Sequence, residues 1–388
     1  MASKTNVLLF PSKYKNHFST TFILDNHIDS DLEKFIYPLN LIENVLFLSK
    51  YSIRDNFITS NNCYANLYSH LSTIFIIFIY LLIILLDKGI RTFPPTVLAL
   101  CIINYICVII GRVVYNLTNN CLSDSHVNLI ISIQRIQKTI KINYKIFTLY
   151  NWVFFFIIVS YYIILFSIQC YAKRGTPYIL FSYIIMLIDD FNSLYLMSIN
   201  KLLVEYTILF EYKLKSTNIF DVSAINSCMI REDWLDTMVQ AFLEMSKATI
   251  AYKHISEIPI FYNSIYMAVY TLIYVELIIA YHSLPNNMFW ILLIFWIIKN
   301  TCQFGMTCYN SELLKLMVKN IQATVLDNTT NEINKDINSK YESLLIDIAF
   351  SYEKMTTSVV LTVDATLPLT LLSGYATYIV VLLQFEFL

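Results

Sequence analysis

The chain has 388 residues, 57% of them hydrophobic and 14% charged, with a mean hydropathy of +0.56. That balance excludes an ordinary soluble protein and points to an integral membrane protein. A formal net charge of −1 gives no reason to expect nucleic acid or any strongly charged partner, so partners must be read from where the charges lie.

Residues 1–66 are polar with mixed charge, and the apolar cluster before Pro11 is too short for the core of a secretory signal, so the first membrane helix is expected to act as its own signal. Ser30 and Glu33 have the spacing of a capping box ahead of Leu32, Phe35, Ile36, Leu39, Ile42 and Val45, which predicts an amphipathic helix on other protein or on the bilayer surface. Residues 68–86 are uncharged and long enough to span a bilayer. A turn at 87–95 leads to a second span ending near Tyr115, and a basic loop with Arg135, Lys138, Lys141 and Lys145 precedes a third over 148–170. Residues 173–177 turn the chain into a fourth span, 178–200, interrupted near its middle by Asp189 and Asp190.

Residues 201–258 hold no spanning run, but Leu235, Met238, Phe242, Met245 and Thr249 keep a three-four spacing, which predicts a soluble helix continuous with a fifth span over 259–282. After a tight turn at 284–287, a sixth span ends within 299–304. Leu313, Leu314, Met317 and Ile321 mark one apolar face of the following segment. Ile333, Ile337, Tyr341, Leu344, Leu345 and Ile348 mark another after a polar break at 327–331. A seventh span, 366–387, has no charge until Glu386. The reading is an all-α, seven-transmembrane protein. It comprises an amino-terminal region 1–66, four spans over 67–200, a helical segment 201–258, two spans over 259–304, anchor helices over 305–365 and a last span 366–388.

Lysine and arginine crowd the amino-terminal region and the loops after spans two, four and six, whereas the other loops hold only Lys88, Arg91, Lys173 and Arg174. The basic side is therefore expected in the cytoplasm, with the amino terminus inside and the carboxy terminus outside. The sequons at Asn116 and Asn328 fall on that side, so no glycan is expected at either.

On the last helix, Thr370, Gly374, Thr377, Val381 and Gln384 recur at spacings of three and four, placing small and polar residues on one stripe with Val381 as an apolar interruption. An amide such as Gln384 is costly in hydrocarbon without a partner or water, so the stripe needs a neighbouring subunit, an aqueous path or an interhelical hydrogen bond. The run Thr377-Tyr378, five apolar residues, then Gln384-Phe385 resembles the terminal-helix signature of insect gustatory receptors, relatives of the insect odorant receptors. The nine residues 377–385 match at motif level, and the rest of the chain agrees in architecture.

The resemblance implies a tetrameric ligand-gated cation channel, homomeric or built with related receptors. Four last helices would line one pore, and the cytoplasmic helices would form a shared anchor. Thr370, Gly374, Thr377, Val381 and Gln384 then face the pore, and Gln384 with Phe385 forms a gate near the outer end. Tyr378 packs against neighbouring helices. A ligand pocket is implied among spans two to six, open to the outer side. Residues of suitable type there are Asn104, Tyr105, Tyr161, Tyr162, Tyr183, Asp189, Tyr270, Tyr274, Glu276, Trp290 and Trp296. Tyr262, Tyr266, Tyr270 and Tyr274 also fit a plain packing ridge, and Asp189, Asp190 and Glu276 fit a structural ion pair as well as a cavity. Lys299 is expected to reach the cytoplasmic interface. Ile379, where sugar receptors of the family tend to carry glutamate, favours a bitter compound, fructose or an internal nutrient as the tastant. The expected site of action is the plasma membrane of a chemosensory neuron.

Neither an enzyme nor a cofactor is expected. The eight cysteines form no paired CxxC pattern, and the six histidines are scattered without an i, i+4 metal pair. A transporter would show paired halves and helices broken by Gly or Pro, whereas the chain has five glycines and an odd number of spans. A G-protein-coupled receptor would have the opposite orientation.

Overall fold

The computed structural model describes residues 26–46, 48–86, 95–171, 177–216, 226–280, 287–331, 335–356 and 366–387. The turns expected at 87–95, 173–177 and 284–287, the extreme amino terminus and Ile333 fall wholly or mostly outside these residues. Within them the chain is almost wholly helical. Helix α1 (Ser30–Val45) begins directly after Asp29, whose carbonyl accepts from the Glu33 amide at 3.0 Å, and no side chain caps it. Ser30 is thus the first helical residue, and the expected capping box does not form. The apolar face forms through Leu32, Phe35, Ile36 and Leu39, all fully buried, with Ile42 half-buried, but Val45 at the helix end is exposed.

A short antiparallel hairpin follows, β1 (Ser52–Arg54) paired with β2 (Phe57–Thr59). Asp55 and Asn56 at its turn have φ of 52° and 64°, the left-handed pair that lets two residues reverse a twisted ribbon, and Asp and Asn are the side chains that tolerate it. Ile58 points from this hairpin into the core.

The long helices come next: α2 (Cys63–Leu86), α3 (Pro95–Cys121), α4 (Ser123–Thr139), α5 (Tyr144–Tyr171), α6 (Pro177–Ser216), α7 (Asn226–Ala280), α8 (Asn287–Asn331), α9 (Lys335–Thr356) and α10 (Thr366–Phe387). Four stretches among the described residues are long and apolar enough to cross a membrane: Cys63–Leu82, Ile102–Cys121, Tyr144–Ile168 and a window within Glu232–Glu276. Their burial agrees with that use. On α2, Leu67, Leu71, Ile74, Phe75, Phe78 and Leu85 are exposed, an apolar face that water would penalise and hydrocarbon would not.

Three expectations change. Arg135 and Lys138 belong to α4, not to a loop, because Val127, Ile130, Ile133 and Ile136 bury one face of that helix along α7. The polar stretch 327–331 does not break α8, which continues through Asn331. On α8 the face fully turned inward is Leu314, Val318, Ile321 and Val325, with Leu313 and Met317 only half-buried. Helices α6 and α8 also run without interruption past 200 and 304, so the expected segment boundaries there are positions along rods, while α7 runs through 258 as its spacing predicts.

The largest core joins α1, α4, α5, α6, α7, α8 and α9. A second apolar cluster fixes α2 and α3 on α6, through Ile76, Tyr80, Val108, Ile185 and Ile188. A third holds α10 on α7 and α8. Asn116, buried on α3, donates to the Ser69 and Thr73 hydroxyls of α2 at 2.9 and 2.7 Å and meets His70 at 2.7 Å. Hydrogen bonds of this kind tie apolar helices together where apolar contact alone gives little preference over lipid. Asn116 and Asn328 are both buried, which leaves no room for a glycan.

Candidate functional site

Helix α10 is held by one face. Leu367, Leu371 and Tyr375 pack against Ile260, Met267, Ala268 and Leu272 of α7 and against Phe304 and Cys308 of α8. At about 100° per residue the Thr370 stripe is centred about a quarter-turn round the helix from that face, with Gly374 nearest to it. Thr370, Gly374, Thr377, Val381 and Gln384 are all exposed in the single chain. The Thr370 and Thr377 hydroxyls donate to the carbonyls of Thr366 and Ser373, each at 3.0 Å, so both are satisfied within their own helix. A Cβ added at Gly374 would meet nothing within 4 Å. The Phe385 side chain lies outside the described residues.

Inside the bundle, the aromatic residues expected at a pocket are brought together as a packed cluster. Trp296 of α8 stands 5.6 Å from Tyr161, 5.8 Å from Tyr162 and 5.9 Å from Tyr270 between ring centroids, with Tyr274 at 6.4 Å. Tyr183 joins through Tyr162 at 5.9 Å. Tyr262, Tyr266, Tyr270 and Tyr274 form a continuous ring-to-ring ladder along α7, the packing ridge their spacing allows. Asn104 lies beside Tyr270, whereas Tyr105 turns to Tyr80 of α2 at 5.5 Å. Glu276 is placed elsewhere, at the seam with α10 and within electrostatic reach of Tyr378. The Trp290 side chain lies outside the described residues.

Charge is organised round this cluster. Asp190 accepts from the Tyr162 hydroxyl at 2.8 Å and is ion-paired with Lys299. The Lys299 ammonium lies 4.1 Å above the Trp296 ring and 5.6 and 5.7 Å from those of Tyr161 and Tyr162. This corrects the expectation for Lys299: the side chain turns inward, since a carboxylate and three rings offer more than the interface does. The neighbouring Asp189 has both carboxylate oxygens buried without a hydrogen-bond partner. Arg112 of α3, only 2% exposed, acts on Asp189 and on Glu43 through space.

Between α6, α7 and α8 is a cavity of about 60 Å³ lined by Asp189, Asp190, Ser193, Leu196, Ile260, Tyr262, Asn263, Tyr266, Met267, Asn300, Gln303, Phe304 and Thr307. Ser193 accepts from the Asn263 amide at 3.0 Å, and Asn263 accepts from the Tyr115 hydroxyl at 2.7 Å. Arg112, Ser193, Asn263 and Gln303 were not singled out by sequence reasoning. Of these only Arg112 carries a signal of its own, a charge inside an apolar run.

A further buried cluster lies where α1, the segment before β1, α4 and α6 meet. Glu43 and Lys50 form an ion pair, and Lys50 sits 4.5 Å over the ring of Tyr195. Burial pushes the Glu43 carboxyl up and the Lys50 ammonium down, and each is partly restored by the other. His126 contacts the Tyr195 hydroxyl at 3.3 Å through Nδ1, and its Nε2 has no partner. Burial, reinforced by the Lys50 charge, holds this imidazole well below the usual histidine range.

No known family model matches the chain, and no curated protein is similar enough to match it. What the structure defines is an all-α architecture with four helices among its described residues fit to cross a membrane.

Proposed function

We propose that the chain is a seven-span subunit of a ligand-gated cation channel of the gustatory-receptor kind, four copies placing α10 around a common pore. The observation that carries this reading is the exposed stripe of α10. Its small and polar residues flank the docked face of an otherwise apolar helix and are exposed among the described residues of the subunit. Lipid is a poor neighbour for Gln384, and four copies facing one another across water would satisfy it. Below the expected membrane, α8 leaves Met306, Tyr309 and Leu316 exposed, apolar surface that a second copy would cover.

The ligand is a small extracellular molecule, a bitter compound or a sugar such as fructose, and the site of action is the plasma membrane of a chemosensory neuron. The aromatic cluster of Tyr161, Tyr162, Tyr270 and Trp296 is the sensing element in this reading. These rings pack directly on one another, with Trp296 5.6–5.9 Å from Tyr161, Tyr162 and Tyr270 between centroids, so on this reading binding parts them. Activation is then the preference of the ligand for the parted, open state.

Expression in cells with current recording during a tastant screen tests the proposal. A direct, G-protein-independent cation current is expected. Gln384→Leu should change its conductance or ion preference while leaving surface expression intact. Currents that vanish when G-protein signalling is blocked, or a Gln384→Leu channel indistinguishable from wild type, count against a pore lined by α10.

A further inference from the structure

We propose that the cavity beside Asp189 binds one alkali-metal cation, with sodium the natural occupant, held by the Asp189 carboxylate, neutral protein oxygens and a water. The starting point is an unmet demand. Both Asp189 oxygens are buried, and neither accepts a hydrogen bond from the described residues. A buried carboxylate left in that condition is costly, and cavities that adjoin such groups are occupied. Asp190, next in the chain, makes no comparable demand, because Lys299 and Tyr162 already meet it.

The cavity is small, and its polar residues, Asp189, Ser193, Asn263 and Gln303 among them, stand between apolar walls of Leu196, Ile260, Met267 and Phe304. Its volume of about 60 Å³ has room for about two water-sized particles at roughly 30 Å³ each, which is an ion with one water beside its protein ligands. Asp189 and Ser193 lie one turn apart on α6, and Asn263 of α7 and Gln303 of α8 line the other two walls. No cysteine or histidine lines the cavity, which removes the ligands that zinc and copper favour. A divalent ion would normally recruit several carboxylates, but here only Asp189 is free, and Arg112 already offsets part of its charge from a distance. One uncommitted carboxylate among neutral oxygens is the chemistry of a monovalent ion.

The site lies within one subunit, apart from the α10 stripe, and does not depend on the channel reading. Full-length protein, purified in detergent and washed into N-methylglucamine chloride, is titrated with sodium chloride at constant ionic strength. Radioactive sodium binding and thermal unfolding are followed together. Saturable binding of one ion per chain and a rise in unfolding temperature of about 2 °C are expected, since a ligand stabilises the state that binds it. Asp189→Asn should abolish both, and Asp233→Asn, at an exposed acid on α7, should change neither. Ser193→Ala, which spares the carboxylate, should weaken sodium about tenfold, and it serves as the test if Asp189→Asn does not fold. Sodium that stabilises wild type no more than N-methylglucamine, or equally stabilises both the Asp189→Asn and Ser193→Ala proteins, would show that the cavity holds water only and overturn the proposal. A protein that passes no current but binds sodium at Asp189 refutes the channel and leaves this site standing.

Discussion

At His126 the imidazole is enclosed by Lys50, Tyr51 and Tyr195, with Nε2 unbonded, so a second proton would enter a dry site beside a cation. Its folded-state affinity for protons is depressed. Below the ordinary histidine value of about 6.5 the unfolded chain therefore takes a proton that the folded chain refuses, and stability falls as pH falls. The limiting slope is about 1.4 kcal/mol per pH unit. Thermal unfolding of wild type and His126→Gln between about pH 7 and pH 5 should show the acid-side loss in wild type and a shallower one in the variant; equal slopes would show that the group titrates freely. The same scale decides what the sequence reveals of the site. Asp189 and Asp190 stand out because a charge in an apolar run is costly wherever it points. Lys299, near the end of a span, could turn either way, and the choice was made by Asp190, which lies 109 residues earlier. Ser193, Asn263 and Gln303 are ordinary polar residues until three helices bring them to one cavity.

Packing between elements shows itself at the glycines. A Cβ at Gly111 of α3 would collide with the Tyr262 hydroxyl of α7, which itself donates to the Cys107 carbonyl at 3.0 Å. Gly111→Ala should thus cost about 1–3 kcal/mol by overpacking this crossing. Gly374→Ala meets nothing in the subunit and should leave it unharmed, or firmer by about 0.5–1 kcal/mol through helix propensity. Parallel unfolding measurements on the two variants check the contrast, and a destabilised Gly374→Ala would mean that α10 packs more closely than its exposure indicates. Helices were legible in the sequence where hydropathy was extreme: α10 occupies the residues its charge-free run marks out, and the three-four spacing of Leu235 to Thr249 does continue into a span. Legibility failed where the pattern was mixed. The isoleucines of α4 are interleaved with Arg135, Gln137 and Lys138, so the basic residues masked a buried face. The hairpin was missed although Asp55 and Asn56 supply the turn chemistry it needs.

Across the whole molecule the burial is uneven. The core is continuous through α1, α4, α9 and the adjoining parts of α5 to α8, while α2 and the outer face of α5 leave Phe75, Phe78, Phe156 and Ile157 uncovered. That division fits a body outside the bilayer bearing a bundle whose flanks face lipid. An epitope tag at the amino terminus should be reached by antibody only after permeabilisation, and a tag at the carboxy terminus on intact cells; the reverse labelling would invert the topology and with it the comparison to gustatory receptors. Helix α7 ties the two parts together. Its 55 residues make a rod about 80 Å long, running from the body at Leu235 to the aromatic ladder at Tyr274. A rod so long would act as a torsion bar, passing rotation from one end to the other through its backbone bonding. Pro259 removes one rung of that bonding near the expected entry to the bilayer and so gives the bar a single compliant joint, the place where a twist begun among the rings would be converted into a tilt of the base.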